Sequence, residues 1–501
     1  MARYFLNTGI LWSDVNNWSD TDGGAGGFSV PTATDDVFFT ANSGPCTLNG
    51  ANRLCRALDT TGYNGTITIT TIALTTAGNV TLSNTTTLNG SGIFAFNGNP
   101  TVTRNGANVA VATCRHVTTG TVTFADAWQV INWNCSGAGG TLNGSTLSIS
   151  GNLTMTAAVA AGTTNFVLNG TGTQTWAGNF SLANNLTINK SSGNFIVSGN
   201  VQFGIGKTLT YTTSGSVTTT GSVLTTSACS LDTSGMIWAN VNCTGAFVRT
   251  LLSDLYCTQF TVTGNASTCN GFNVYINGNL AFNTTAGTVC GGTTAFHLVG
   301  TGNWSHGSTG RFANNLTINT AGTITCTTNP VYIGGGTFTY VAGNIVNANI
   351  TFTASCTINA SGFTFGTIRF NAGTFTFNQD FNCDSFNQNS VFTFTFTSAT
   401  TKTINCNSCS FTSGSIVNLK AGMRINVATS LTLNCTIQST TAASAFLNLA
   451  YGASQAVTAT SATWINSIGG QTIYTTVGPL SNTVNWNIGT YNSPTSFLLM
   501  F

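Results

Sequence analysis

Asp380 and Asp384 are the closest pair of carboxylates in the body of this chain. Paired carboxylates are what glycosidic-bond cleavage uses, one as general acid and the other as base or nucleophile, about 5 to 10 Å apart. Past residue 60 the other acids are Asp126, Asp232 and Asp254, because all eleven acidic residues are Asp and the chain has no Glu. On an extended strand, residues four apart share a face but lie about 13 Å from each other. A turn at Asn382 would bring the pair nearer. Solvated carboxylates and Asp-capped turns account for the same two residues. A lyase, which needs a base and an Asp cluster for calcium, meets the same shortage.

Two metal chemistries are also suggested. Cys406-Asn-Ser-Cys409 is half of a zinc site, but a second pair is missing and the chain holds only three His. Asp20-Thr-Asp22-Gly-Gly resembles the start of an oxygen-ligand calcium loop that Asp35 and Asp36 would complete. Turn formation by Asp and Gly explains those residues equally. His116 beside Arg115, His297 on an alternating stretch and His306 in an expected turn have no partner at catalytic spacing. No residue is assigned a catalytic, cofactor-binding or metal-ligating role.

The elements that would position these groups are strands. Thr, Asn, Gly, Ser, Val, Ile and Phe dominate, and they favour pleated strands and tight turns over helix. Alternation of apolar and hydroxyl residues marks half-buried strands at 66–70, 148–149, 186–188, 208–211, 374–377 and 392–396. Gly-Asn before an apolar residue recurs at Gly78, Gly151, Gly178, Gly199, Gly278, Gly302 and Gly343, with uninterrupted neighbours 21 to 27 residues apart. Both residue types tolerate left-handed backbone, so these pairs are expected at solenoid corners.

The chain also repeats itself. Leu-Ala-Asn-Asn-Leu-Thr-Ile-Asn at 182–189 returns as Phe-Ala-Asn-Asn-Leu-Thr-Ile-Asn at 312–319, with Phe166 leading to Trp176 and Phe296 to Trp304 upstream. Stacked repeats bury a core that none buries alone. Cys326, Cys356, Cys383, Cys406 and Cys435 fall 23 to 30 residues apart, suiting small apolar fillers in successive coils. The expected fold is all-β, an elongated right-handed parallel β-helix with small β caps at both ends. Its parts are a capping or attachment module over 1–50, a solenoid body over 51–440 and a C-terminal cap or docking element over 441–501. At about 22 to 25 residues per coil, 51–440 would make a rod on the order of 80 Å long. The apolar end at 496–501 reads as a last strand tucked into the body rather than an anchor.

Composition removes several classes. Hydrophobic residues at 41%, with 33 Phe, exceed what disordered chains carry. Charged residues are 5% and the net charge is +2, which leaves no footprint for nucleic acid. No apolar run is long enough to insert in a membrane, and the opening Met-Ala-Arg-Tyr-Phe predicts synthesis in a cytoplasm without a signal peptide. A propeller would show blades of about 40 to 50 residues with a signature dipeptide, and a sandwich would show linkers between domains. Thr arrays for ice binding are broken by Phe and by uneven coils. Trp128, Trp133, Trp176, Trp238 and Trp304 are candidates for stacking on sugars, with coil filling as their other duty.

Trp12-Ser-Asp14, Asn17-Trp18-Ser-Asp20, Gly23-Gly-Ala-Gly-Gly27, Pro31 and Asp35-Asp-Val-Phe-Phe39 together resemble the N-terminal module of tailed-bacteriophage virion structural proteins. In those proteins a Trp- and Gly-rich start precedes a Thr/Asn/Gly-rich β-solenoid. The resemblance spans about forty residues and implies a tail fibre, head fibre or surface appendage without catalytic residues. The expected location is the virion surface, with other virion proteins and a host-surface glycan as partners and a homo-oligomer, such as a trimer, as the assembly. A depolymerising tailspike-like enzyme and a bacterial surface adhesin are the alternative readings.

Overall fold

In the computed structural model the described residues are 1–160, 162–199, 201–204, 206–212, 219–225, 228–233, 236–263, 267–283, 288–307, 311–328, 330–371, 373–388, 393–458, 461–475 and 479–488. They contain no α-helix, and one three-residue 3-10 turn, Val15–Asn17, interrupts the strands. The chain divides into two compact units, Met1–Tyr256 and Cys257–Phe501. Each is a β-solenoid of short parallel strands stacked coil on coil.

In the first unit, Ala2–Phe5, Asp36–Phe38, Ala57–Asp59 and Val80–Thr81 lie side by side in parallel on one face. A second face stacks Cys46–Leu48 on Thr66–Ile69 and then Thr87–Phe96 on Asn108–His116. A third runs through Trp128–Val130, Leu147–Ile149, Phe166–Leu168 and Leu186–Ile188. The edge of the first face is covered by Trp18–Ser19, which pairs antiparallel with Ala2–Phe5. An unpaired parallel edge would recruit foreign strands, and this short reversed strand occupies it. Behind it, Trp12, Trp18, Phe5 and Phe39 fill the first coil, with the Trp18 indole Nε1 donating to the Trp12 carbonyl at 2.8 Å.

In the second unit, Ile350–Phe352, Thr364–Phe370, Phe381–Gln388, Thr403–Leu419 and Arg424–Ser439 stack in order. Register slips at Cys406/Ser408 and Phe411/Ser415 break the longest of these into three in-register pieces. Coil length varies: Ile350 pairs with Ile368, eighteen residues on, and Thr436 with Ser461, twenty-five on. Some coils are therefore shorter than the sequence spacing predicts. Near the C-terminal end Ile473–Thr475 pairs with Trp486–Ile488 as a separate two-stranded sheet. The apolar tail at 496–501, Phe392 and Asn200 lie outside the described residues.

Alternation builds the core. In Thr66–Ile69 and Phe166–Leu168 every second side chain is buried and the intervening ones face outward. The Phe residues concentrate in the second unit, where Phe370 is ringed by Phe352, Phe375, Phe386 and Phe396 at centroid distances of 5.5, 4.5, 5.2 and 5.2 Å. The repeated phrase has equivalent roles in its two copies. Asn184 and Asn314 are buried and donate from Nδ2 to Thr164 O and Thr294 O, both at 3.0 Å and both twenty residues back. Asn185 and Asn315 face outward, and each Oδ1 accepts the amide of the next coil, from Thr208 at 3.0 Å and Thr337 at 2.9 Å.

The Gly-Asn corners differ from expectation. Gly178, Gly199 and Gly343 have positive φ, whereas Gly78, Gly151, Gly278 and Gly302 do not. A side chain at Gly302 would meet the Gly278 carbonyl oxygen at 2.2 Å, so there the need is close approach of adjacent coils. Among the described residues the Asn of these pairs is not left-handed either. Asn79, Asn152 and Asn279 instead accept, through Oδ1, the amides of Thr101, Thr175 and Asn303 one coil later, at 3.0, 2.9 and 2.9 Å. Asn is selected as a lateral cap for the next coil.

Candidate functional site

Most residues with chemical potential are held apart or used structurally. Asn382 lies within the strand Phe381–Gln388, paired with Thr364 and Asn405, so no turn draws Asp380 and Asp384 together. Asp380 accepts the Thr403 amide at 2.7 Å, and Asp384 accepts from Asn407 Nδ2 at 3.0 Å. In the N-terminal region, Asp22 accepts from the Thr40 hydroxyl, Asp36 pairs with Arg56 of the following coil, and Asp35 caps Thr32 through its amide and hydroxyl. Burial, which raises a carboxyl, is outweighed at Asp35 by the Thr32 hydrogen bonds, and its pKa falls below the ordinary value. Among the described residues no group of three or more His, Cys, Asp or Glu is placed to hold a metal ion.

The three histidines stay separate. His116 is buried between Phe96 and Cys135, and burial lowers its pKa. His297 stacks on Tyr275 at 4.7 Å. His306 ends the strand Gly302–His306 rather than occupying a turn, and its Nε2 accepts from the Trp304 indole at 2.7 Å. Trp128, Trp133, Trp176, Trp238 and Trp304 are all at most 1% exposed, so none is available to a sugar. They fill coils.

A different set of residues forms a groove on the second unit. Four consecutive coils carry the phrases Phe-Asn-Cys-Asp at 381–384, Ile-Asn-Cys-Asn at 404–407, Ile-Asn-Val-Ala at 425–428 and Leu-Asn-Leu-Ala at 447–450. Strand register places Asn382, Asn405, Asn426 and Asn448 in one column. Each Nδ2 donates to the Oδ1 of the preceding coil: Asn405 to Asn382 at 3.0 Å, Asn426 to Asn405 at 2.8 Å and Asn448 to Asn426 at 2.9 Å. The Gly469 amide closes the column on Asn448 Oδ1 at 3.3 Å. Exposure falls along it, from the open Asn382 and Asn405 through the half-buried Asn426 to Asn448, 8% exposed.

This ladder lines a concavity of about 410 Å³, with Asp384 and Asn407 also lining it. Apolar side chains alternate with the Asn column because Cys383, Cys406, Val427 and Leu449 turn into the coil. A primary amide has two donors and two acceptor lone pairs. Asn405 and Asn426 each commit one N–H and one lone pair to the ladder, which leaves one of each per coil for a ligand. Coils repeat about every 4.8 Å, so the groove presents a neutral polar group at a regular interval. Asp384 is the one charged side chain lining it. Tyr451, next in sequence to the lining residue Ala450, is 85% exposed. Such a surface suits a linear, uncharged, hydroxyl-rich chain.

The cysteines expected as fillers are buried at all five spaced positions. Burial pushes the thiols of Cys326, Cys356 and Cys435 up to about 12. Their stacking partners are mixed: Cys326 on Trp304, Cys356 on Phe375 and Cys435 on Ser415. Cys383 is different, because its register partner is Cys406.

The ladder escaped the reading of the sequence, which sought acids, His and CxxC. The signal that finds it is the apolar-Asn-apolar phrase returning at the same strand phase in four coils. No family model matches this sequence, no curated protein is significantly similar to it, and no solved structure significantly matches its fold.

Proposed function

We propose that this protein is a non-enzymatic structural component of a bacteriophage particle, a fibre or surface appendage whose 382–448 groove contacts neutral glycan on the host surface. The observation that carries the reading is the in-register Asn ladder, which offers unsatisfied amide groups at one per coil with almost no charge. Stacked coils give a stiff support, since each repeat is braced by its neighbours. The N-terminal resemblance supplies the particle context. Glycan recognition by neutral hydrogen bonds, with the exposed Tyr451 ring beside the groove, needs no reacting group, consistent with Asp380 and Asp384 each being engaged by the next coil.

The test is location. Purified particles from an infected culture are imaged with an antibody raised against this chain. Regular labelling at one position on the particle supports the proposal, and unlabelled particles from a culture that makes the protein refute it.

A further inference from the structure

We propose that Cys383 and Cys406 are a redox pair that closes into a disulfide between adjacent coils beneath the Asn ladder. The two residues are direct register partners on Phe381–Gln388 and Thr403–Leu419. In-register parallel partners sit about 4.8 Å apart at Cα, inside the span of about 4.4 to 6.8 Å that disulfides bridge. Both side chains turn into the coil, and the Cys406 thiol donates to the Asn426 carbonyl at 3.5 Å. Cys409, in register between Phe386 and Leu431, is a third buried thiol on the same strand as Cys406.

Access separates the three. Cys383 and Cys406 are 3% and 4% exposed and line the groove, whereas Cys409 is 1% exposed and does not. A small oxidant therefore reaches the register pair from the groove. The neighbouring Cys383 and Cys409 thiols lower the Cys406 thiol against the opposing effect of burial. The Cys406 thiol and burial raise Cys383, and burial raises Cys409. Cys406 is thus the attacking sulfur.

With hydrogen peroxide as oxidant, the Cys406 thiolate attacks one peroxide oxygen. The O–O bond breaks, hydroxide leaves and takes up a proton as water, and Cys406 becomes a sulfenic acid. The Cys383 sulfur then attacks the Cys406 sulfur. The S–O bond breaks, and water departs with the Cys383 proton. Two thiols are oxidised to one disulfide while one peroxide is reduced to two waters. The product staples two coils under the ladder once the protein meets an oxidising environment.

Tryptic mapping of the native, full-length protein tests this. Trypsin cuts after Arg369, Lys402 and Lys420, which puts Cys383 in peptide 370–402 and both Cys406 and Cys409 in peptide 403–420. The protein is treated with hydrogen peroxide, alkylated, acidified and digested. The expected product is a dithiothreitol-reversible species joining the two peptides, from a chain that still migrates as a monomer. It is lost in Cys383→Ser and remains within about twofold of wild type in Cys409→Ser. A link confined to 403–420, sulfinic acid at Cys406 without a link, or full alkylation of both thiols after peroxide overturns the proposal. Mapping the wild type needs no variant, so it decides even where a serine variant fails to fold.

Discussion

Asn426→Ala should destabilise the second unit far more than the same change at Asn382, and the difference follows from position in the ladder. Removing the Asn426 amide deletes its bond to Asn405 at 2.8 Å and the bond it receives from Asn448 at 2.9 Å. Two net hydrogen bonds are worth about 0.5 to 1.5 kcal/mol each. Asn448 is 8% exposed, so its stranded N–H is poorly served by water, and an orphaned buried donor costs about 1 to 3 kcal/mol. These terms overlap, and the expected loss is about 2 to 3 kcal/mol. Asn382→Ala removes one 3.0 Å bond between two exposed side chains, which water replaces, for about 0.5 kcal/mol. Native-state hydrogen exchange over peptides spanning 403–449 reads these local stabilities. A double-mutant cycle between Asn405 and Asn426 should give a coupling of about 0.5 to 1.5 kcal/mol. Equal losses at Asn382 and Asn426, or no coupling, would refute the ladder as a load-sharing column.

Three further outcomes are expected. Phe370→Ala empties a site touched by five phenylalanine rings and should cost about 3 to 5 kcal/mol, seen as lost exchange protection in Ile350–Phe352, Gly373–Phe377 and Thr393–Thr397. Asn184→Ala and Asn314→Ala should each cost about 1 to 3 kcal/mol in urea unfolding, with the larger loss at Asn184, because Asn184 donates to both Leu142 O and Thr164 O at 3.0 Å whereas Asn314 donates to Thr294 O. Burial lowers the folded pKa of His116 from its ordinary 6.5, so the unfolded chain takes up the proton first. Stability from this group is therefore complete above about pH 6.5 and declines as pH falls below it, by at most about 1.4 kcal/mol per pH unit. His116→Phe should lack that slope between pH 7 and 5.5, and an unchanged slope would show that His116 is not its source.

Strand identity was legible wherever apolar and hydroxyl residues alternate, because burial on one face writes a period of two into the chain. The equivalence of 182–189 and 312–319 was legible too, and the structure gives it a cause: one Asn turns inward to a carbonyl and the next turns outward to cap the following coil. The Gly-Asn pairs were read correctly at Gly178, Gly199 and Gly343, which have positive φ, but Asn79, Asn152 and Asn279 act through side-chain oxygens rather than through left-handed backbone. The ladder stayed hidden because its fourth letter drifts from Asp to Asn to Ala, and because coil lengths are uneven. Lys190 was equally illegible. Lysine belongs at surfaces, yet Lys190 is buried, with Nζ donating to Gly170 O and Gly172 O at 2.7 Å and to Gln174 Oε1 at 3.3 Å. Burial lowers its pKa. Glycine corners that expose carbonyls to the interior make that site, and nothing local to Lys190 announces them.

The proposed glycan contact joins fold, groove and function, and titration calorimetry tests it most directly. Full-length protein is titrated with delipidated surface polysaccharide from the host on which the particle grows, beside Asn405→Ala and Tyr451→Ala variants. Saturable binding of the wild type, weakened at least about tenfold, or about 1.4 kcal/mol, in each variant is the predicted result. Binding that is unchanged in both variants, or no heat with the wild type, contradicts the account.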